Sequence, residues 1–382
     1  MADIRPFRAV RFDPRRVPLS RALCPPYDVI DAERAAALRR EERNAVHLEL
    51  PEGGRDKYAL AARRWERWLR EGWLVQDDAA AFYVVEERFR AAGRLRARTG
   101  FLAALSVKPE HARFVIAHEH TLAKPKKDRL RLLGAVRANI SPIFGLLPDP
   151  SGAARRALKR AKSGRPLASG RLAGVGYRLW AMRDAGATAA LAAAARPARL
   201  LIADGHHRYE VSRAYYRLRP SAGAQTVLAY LCPEEDAGLV VLPTHRIVAD
   251  RLARADDGLT PSASRAALLR ALERSRDPYA FGLYEEGRYW LGEPGRDGCR
   301  SGLCVEWLGR RLLRRVPPDR IAYTPDAARA EALARRQGGA AVFVKPMAVS
   351  QIRRAVSAIG LLPPKSTYFY PKIATGLAFK SF

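Results

Sequence analysis

Residues 203–210, A-D-G-H-H-R-Y-E, combine the residue types and the spacing that a phosphate-binding turn requires. They follow an apolar run at 200–203 that is typical of a buried strand, and they lead into a helical pattern over 208–218. Asp204 is suited to cap that helix, and Gly205 permits a tight turn and the close approach of a ligand. The amides of the first helical turn, together with the helix dipole, would then form an anion site.

Three side chains after the glycine add hydrogen-bond donors to this turn. They are His206, His207 and Arg208, and an arginine can hold a phosphate through two parallel bonds. Helical spacing predicts that His207 lies on the packed stripe of the helix, whereas His206 and Arg208 turn toward solvent or a ligand. The alternative is that Asp204 only caps and the histidines bond locally. Two adjacent histidines and an arginine at one strand-to-helix turn favour a functional site.

A second cluster mixes acid–base groups with cations: His118, Glu119, His120, Lys124, Lys126, Lys127, Asp128 and Arg129. Three of the eleven lysines of the chain fall within four positions there. Glu119 could act as a general base or bind Mg²⁺ through its carboxylate. The two histidines could bind a transition metal, although an i,i+2 pair is equally suited to one face of a strand. The alternative for the whole cluster is a solvated loop.

Other candidate residues are more isolated in the sequence. Asp28 follows Pro25 and Pro26, which stiffen its loop, so it could orient or deprotonate a hydroxyl or simply cap a turn. The adjacent residues 245 and 246, a histidine and an arginine, could contact an anion or have a structural role. Residues 365–367, K-S-T, lack the preceding glycines of a Walker A motif, which we therefore reject. The remaining cations that could reach a phosphate are His245, Arg246, Lys365 and Lys372.

The elements that position these residues follow from periodicity. Residues 55–71 predict a helix, 81–86 and 99–107 predict strands, and 149–175, rich in Gly, Ala, Ser and Arg, predict a mobile surface excursion or long connection. Strands and helices mixed throughout indicate an α+β or α/β architecture. We predict three parts: an N-terminal α/β part at 1–100, a phosphate-binding core at 101–250 and a C-terminal α/β domain at 251–382.

The net charge of +29, from 68 basic and 39 acidic residues, would by itself suggest a nucleic-acid partner. Eleven of the 68 are lysine and the other 57 are arginine, and alanine is abundant, which is typical of GC-rich codon usage. The arginines are spread through helices without a dense basic tail. A solvated basic surface is therefore favoured over nucleic-acid binding.

The apolar runs are too short to cross a bilayer, and the N-terminus has no apolar signal-peptide region. We therefore expect a cytoplasmic protein without a membrane partner. The four cysteines have no zinc-site spacing and imply no disulfide framework.

Six motifs in order resemble the domain-of-unknown-function family numbered 1015 over nearly the whole chain. They lie at residues 4–8, 25–29, 118–121, 203–210, 243–246 and 364–376. Membership of this family supplies no activity by itself.

The D-G-H-H-R-Y segment is also similar to the key motif of the ParB/sulfiredoxin-like superfamily, which includes free-serine kinases. This resemblance implies an α+β fold with a ParB/sulfiredoxin-like mixed-sheet core. His206 stands where sulfiredoxins have their reactive cysteine, which argues against sulfinic-acid reductase chemistry. His207 and Arg208 match phosphate contacts, and Asp204 matches the aspartate of the serine kinases.

The sequence and the resemblance together predict a phosphotransferase, foremost a free L-serine kinase that uses ATP, ADP or pyrophosphate with Mg²⁺. The alternatives are a ParB-like nucleotide-binding, DNA-associated protein and a nuclease. The predicted catalytic residues are Asp28, Glu119, Asp204 and His206, and the predicted metal ligands are Glu119 and Asp204. The predicted phosphate-binding residues are Gly205, His207, Arg208, Lys124, Lys127, Arg129, His245, Arg246, Lys365 and Lys372.

Overall fold

The structure of the protein is a computed structural model that describes residues 1–119, 121, 123–252, 259–295, 299, 301–363 and 365–382, with Lys124 described without its side chain. Within those residues, contacts divide the chain into two compact units. The first unit comprises Met1–Ala117, Thr121–Val240 and Pro371–Phe382, and the second comprises His118–His120 and Val241–Tyr370.

The strands of the described residues, in chain order, are β1 (Ile4–Arg5), β2 (Val10–Phe12), β3 (Leu74–Gln76), β4 (Phe82–Ala91), β5 (Arg94–Ser106), β6 (Val115–Ile116), β7 (Ala138–Asn139), β8 (Ile143–Leu147), β9 (Ala168–Leu172), β10 (Val175–Met182), β11 (Leu200–Asp204), β12 (Thr226–Pro233), β13 (Val240–Leu242), β14 (His245–Val248), β15 (Leu259–Ser262), β16 (Phe281–Glu285), β17 (Arg288–Gly292), β18 (Ile321–Thr324), β19 (Ala340–Val344), β20 (Tyr368–Tyr370) and β21 (Lys380–Ser381).

The α-helices of the same residues are α1 (Leu19–Ala22), α2 (Ala32–Arg39), α3 (Val46–Glu49), α4 (Lys57–Arg70), α5 (Pro109–Ala112), α6 (Ala123–Val136), α7 (Ala153–Ala161), α8 (Ala185–Ala195), α9 (His206–Leu218), α10 (Arg265–Arg274), α11 (Cys304–Arg310), α12 (Ala327–Gln337) and α13 (Val349–Ile359). Short 3₁₀ turns lie at Tyr27–Val29, Gly54–Asp56 and Pro318–Arg320.

A mixed sheet of nine described strands forms the centre of the first unit, in the order β6-β11-β8-β12-β5-β4-β10-β9 with β1 paired to β5. Most neighbours are antiparallel, while β6–β11 and β8–β12 are parallel. Alternate residues of the long strands, such as Phe82, Val84 and Phe101, join one hydrophobic cluster with Leu158 of α7 and Leu191 of α8. These two helices therefore cover one face of the sheet.

The elements that carry the candidate turn lie inside this unit. All five residues of β11 are buried, and the ladder between β11 and β8 is irregular between Ile202 and Asp204. Helix α9 packs against α6, and α6 packs against α4. The tryptophans Trp65 and Trp68 of α4 are buried in a second hydrophobic cluster with Phe379. The turn is thus held between a central strand and a packed layer of helices.

The second unit has its own sheet, in which the six described strands run in the order β15-β17-β16-β19-β14-β18 and are antiparallel throughout. Two clusters form its core, one with Trp290 and Trp307, the other with Leu268 and Phe343. A further two-stranded sheet pairs β13 with β20.

The expectation of a mixed α/β protein built on a mixed sheet is confirmed. The helix predicted at 55–71 is α4, and the strands predicted at 81–86 and 99–107 lie within β4 and β5. The excursion predicted at 149–175 is wrong, because α7 and β9 lie there. Ala154, Ala157 and Leu158 form the buried stripe of α7, a face that a composition of small and charged residues conceals. No helix in the described part of the chain is both long enough and apolar enough to span a membrane.

Candidate functional site

The turn between β11 and α9 is built around Gly205, whose backbone is left-handed with φ of 87°. A side chain at this position would be strained, since only glycine adopts such a conformation at little cost. A Cβ at Gly205 would also come within 3.0 Å of Arg208 Nε. The glycine predicted from the sequence is therefore required both by the backbone and by the arginine that folds back over it.

The prediction that Asp204 caps α9 is wrong, because Gly205 occupies the N-cap position and no side chain accepts a hydrogen bond there. Asp204 is the last residue of β11, one position too early to cap. Its carboxylate instead accepts a hydrogen bond from Arg208 Nη2 at 2.6 Å and another from Lys372 Nζ. Its side chain is 10% exposed, so both contacts are charge-assisted bonds in a largely dehydrated place.

Arg208 is buried rather than turned toward solvent. Besides Asp204, it donates through Nη1 to the carbonyl of Pro142, and its Nε is buried without a hydrogen-bond partner. Only 8% of the residue is exposed. The guanidinium therefore fixes the strand-to-helix turn, and one of its donors stays unused.

The buried face of α9 also differs from the prediction. His206 is 5% exposed and His207 is half-buried, so the sequence assigned their environments the wrong way round. The buried stripe runs through Arg208, Val211, Ser212 and Tyr215 instead of starting at His207. Val211 and Tyr215 also share the helical spacing of His207, so the buried arc is wider than the predicted stripe and extends to Arg208 and Ser212.

Lys372 brings a distant segment to the turn. Its Nζ contacts Asp204 and lies 3.7 Å from Asp28 Oδ2, so the lysine stands between two carboxylates. The preceding residue, Pro371, is fixed because its carbonyl accepts a 2.7 Å hydrogen bond from the fully buried Arg98. Asp28 lies in the 3₁₀ turn after its two prolines, and its side chain is 29% exposed. Three predicted phosphate-binding or catalytic residues, Asp28, Asp204 and Lys372, thus come together around the lysine.

The lysine-rich segment becomes the start of α6, and two of its cations, Lys126 and Arg129, are engaged by the protein. Lys126 binds Glu210 at 3.0 Å, while Lys127 is exposed. Arg129 is buried, donates to Asp128 and to the carbonyl of Glu49, and lies over the ring of Tyr27. The predicted residues His120 and the side chain of Lys124 lie outside the described residues.

Ion pairing sets the charge of the carboxylates near this segment. Burial acts to raise the pKa of Asp128, but hydrogen bonds from Lys57 and the charge of Arg129 bring it down to about 2. Burial likewise opposes the ionisation of Glu210, and hydrogen bonds from Thr121 and Lys126 lower its pKa overall. Both carboxylates are therefore ionised at neutral pH.

Glu49 is a buried residue that the sequence reasoning missed. Its Oε1 accepts hydrogen bonds from Tyr27 N–H at 3.1 Å and Ser141 Oγ at 3.0 Å, whereas its Oε2 is buried without a partner. With Arg129 and Arg208 it lines a cavity of about 40 Å³. No spacing in the sequence marks Glu49, because its partners come from β-strand ends and helices far along the chain. The cavity has room for water but not for a nucleotide.

In the second unit, the predicted residues of two separate motifs come together. The carboxylate of Glu119 accepts the backbone N–H of Lys365 at 2.9 Å, and Lys365 has a left-handed φ of 58°. His118 is buried and its Nε2 is 3.1 Å from Thr367 Oγ1. Glu119 therefore stabilises the backbone at Lys365, whose side chain is exposed.

The predicted anion-binding pair of β14 is buried in the same unit. His245 accepts a 3.3 Å hydrogen bond from Val344 N–H through Nδ1, and burial and the charge of Arg246 lower its pKa to about 4. Arg246 donates to the carbonyl of Thr244, and burial lowers its pKa. These contacts stabilise the sheet of the second unit.

No group of three or more His, Cys, Asp or Glu side chains converges as a metal site among the residues that the structure describes. Mg²⁺ is commonly held by one or two protein carboxylates together with substrate phosphates and water. Asp28 and Asp204, which share Lys372, fit that donor set.

Both the sequence and the structure of the chain were compared with those of known proteins. A family model described as "Protein of unknown function (DUF1015)" matches residues 4–308. A search of curated proteins found no match.

Among solved structures, a free serine kinase mutant in complex with ADP has 11% identity and a TM-score of 0.39, with 73% of this chain and 92% of that chain covered. A conserved hypothetical protein from Pyrococcus furiosus has 13% identity and a TM-score of 0.34, with 73% and 95% covered. C-terminally truncated SbnI from Staphylococcus aureus has 11% identity and a TM-score of 0.37, with 72% and 86% covered.

Proposed function

We propose that this chain, which belongs to the DUF1015 family of proteins of unknown function, is a phosphotransferase for a small hydroxyl substrate. The observation that supports this most directly is the position of Lys372 Nζ between Asp204 and Asp28, beside the left-handed Gly205 turn that begins α9. A cation, two carboxylates and a helix N-terminus are the groups that phosphoryl transfer requires, because the reaction needs positioning and charge neutralisation more than covalent catalysis.

We place the phosphates of the donor on the side of the Gly205 turn that faces away from the cavity behind Arg208. The cavity behind Arg208 is about 40 Å³, so a polyphosphate cannot enter it. Outside, the amides of the first turn of α9 point beyond the end of the helix, where they can bind an anion. His207, which is half-buried, and Lys372 are the side chains proposed to complete this anion site.

Asp28 is the proposed general base. It is the more exposed of the two carboxylates, at 29% against 10% for Asp204. Asp204 is paired with two cations, Arg208 and Lys372, so its role is to position them. Asp28 accepts the proton of the acceptor hydroxyl, and Lys372 neutralises charge that develops on the transferred phosphoryl oxygens. We assign no chemical step to His206, which is buried.

Asp28 or Asp204 would hold Mg²⁺, which would supply positive charge to neutralise the phosphates of the donor. The sequence also predicted Glu119 as a metal ligand or base. In the structure Glu119 binds the backbone of Lys365 in the second unit, and its catalytic role stays a prediction.

Free L-serine is the proposed acceptor, with ATP, ADP or pyrophosphate as donor. This choice rests on the similarity of the D-G-H-H-R-Y motif to that of the serine kinases. The same motif, at a strand-to-helix turn of a mixed sheet, supports the finer proposal of a ParB/sulfiredoxin-like core.

The test is to incubate the purified full chain with L-serine, Mg²⁺ and each donor in turn and to detect phosphoserine by mass spectrometry. Asp28→Asn should lower the rate by about 10²–10⁴-fold, as expected when a general base is lost. Asp78→Asn, at an exposed aspartate, is the matched control. Absence of phosphoserine with every donor would exclude serine as the acceptor. Equal rates for the two variants would exclude Asp28 as the base.

A further inference from the structure

A basic groove lies on the N-terminal helices of the first unit, away from the residues of the Gly205 turn. Its volume is about 720 Å³, in the range of small-ligand sites. It is lined mainly by arginines of α4, with Arg39 from α2: Arg39, Arg63, Arg64, Arg67 and Arg70. The acidic lining residues are Glu52 and Glu66, so positive charge is in excess.

The ion pairs of the groove leave much of this charge without a protein partner. Arg39 pairs with Glu52 at 2.8 Å, and Arg67 lies 3.8 Å from Glu42. Within the described residues, no carboxylate lies within 4.0 Å of the guanidinium groups of the other three: Arg63, Arg64 and Arg70. An arrangement of crowded like charges is stabilised when an anion binds among them.

Two of these arginines, Arg64 and Arg67, are partly removed from water, whereas Arg63 and Arg70 are exposed. The Nε of Arg67 is buried without a hydrogen-bond partner. Burial, and next the charge of Arg67, lower the pKa of Arg64. Dehydrated donors that lack an acceptor form stronger bonds to an incoming anion than solvated ones do. The groove is thus more than a solvated helix face.

A second cavity of about 400 Å³, the side cavity, adjoins the groove through shared residues. Arg39 and Glu52 line both spaces, and Asp31 is a further charged residue of the side cavity. Ile30, Ala35 and Leu50 form an apolar part of its wall. A ligand with an apolar or planar group on one side and a phosphate chain on the other matches this pair of spaces.

We propose that the groove is a second ligand site that binds a nucleoside polyphosphate, with its phosphates on the α4 arginines and its base against the apolar wall of the side cavity. Positions 63 and 70 are about 10 Å apart along the helix axis, which matches a short phosphate chain. A nucleic-acid footprint of several hundred Å² would need a longer basic surface. This inference does not depend on the proposed phosphotransferase activity.

Isothermal titration calorimetry of the full chain with ATP tests this proposal. The affinity for ATP is compared between two double variants that lose the same number of positive charges. Arg63→Gln/Arg70→Gln changes two exposed groove residues, and Arg329→Gln/Arg336→Gln changes two exposed residues of α12. Both are made in a Lys372→Met background, so that ATP bound at the turn does not contribute. Affinity should fall at least tenfold in the groove variant and less than twofold in the control. Equal losses, or no loss in the groove variant, would overturn the proposal.

Two further probes identify the ligand class. Tripolyphosphate should bind the groove more weakly than ATP, and equal affinity would exclude the base-binding role of the side cavity. A single-stranded oligonucleotide should bind no more tightly than ATP. If it binds more tightly, with a steep salt dependence that the groove variant loses, the site is for nucleic acid and the proposal is wrong. Failure of these tests leaves the phosphoserine assay unaffected.

Discussion

Replacing Gly205 with alanine should destabilise the first unit in two ways, by straining the backbone at this position and by displacing the side chain of Arg208. The two losses of stability can be estimated separately. The left-handed φ of 87° costs a non-glycine residue about 1–2 kcal/mol. The added Cβ would lie 3.0 Å from Nε and 3.1 Å from Cζ of Arg208, so the guanidinium must move. Weakening its bonds to Asp204 and Pro142 costs a further ~1.5–3 kcal/mol. The expected total is about 2.5–5 kcal/mol.

Gly93 provides the matched control, because its φ is 74° and a Cβ there would meet nothing within 4 Å. Gly93→Ala should therefore show only the backbone cost of about 1–2 kcal/mol. For a unit of this size each kcal/mol lowers the Tm by about 2–4 °C. We expect a decrease of about 2–8 °C for Gly93→Ala and about 5–20 °C for Gly205→Ala by thermal unfolding.

The second measurement is the rise in Tm that saturating ATP and Mg²⁺ produce in each variant. In the Arg63→Gln/Arg70→Gln background, which isolates the turn, Gly205→Ala should abolish the rise and Gly93→Ala should keep it. If both variants lose the same stability, Arg208 does not pack over Gly205. If both keep the ATP-induced rise, the turn does not bind the nucleotide.

Three further outcomes follow from other contacts. Lys372→Met should reduce phosphoserine formation at least a hundredfold, whereas Lys159→Met, at an exposed lysine, should leave it unchanged. Because His245 has a folded pKa of about 4 and an ordinary unfolded value near 6.5, the second unit should lose up to about 3 kcal/mol as pH falls from 6.5 to 4. His245→Asn should flatten that pH dependence in urea titrations. Arg98→Met should lower the free energy of unfolding by about 3–5 kcal/mol, because it leaves Glu87 charged and buried. A loss below about 1 kcal/mol for this variant would contradict the buried pair.

The turn itself could be predicted because its signals are local. An apolar run, then Asp-Gly, then a helical pattern predicts a strand, a turn and a helix, and β11 and α9 lie at those positions. The face of α9 could not be predicted in the same way. Tyr209 joins the core beside the sheet, while Val211 and Tyr215 pack in a cluster with Leu133 of α6. Burial on two sides widens the buried arc beyond what periodicity indicates, so His206 and Arg208 are enclosed as well.

Contacts between distant residues explain the rest of what the sequence left open. Asp204 was expected to cap because its type favours that role, but its carboxylate is occupied by Lys372, 168 positions along the chain. Glu49 carries no motif, and it lines the cavity behind Arg208 because α3 packs there. Pairings at such separations depend on the tertiary fold and leave no spacing signal in a single sequence.

The C-terminal segment Pro371–Phe382 belongs to the first unit, and it completes the candidate site through Lys372. The chain leaves the unit at Val240 and returns at Pro371. The first returning residue is fixed through its carbonyl by Arg98, and the next, Lys372, contacts Asp204. The Glu87–Arg98 pair is fully buried, so the returning segment is held by a bond protected from water. The two carboxylates of the site therefore acquire their shared cation only when the C-terminal segment is in place, and a chain that ended before Pro371 would retain the turn but lack the lysine.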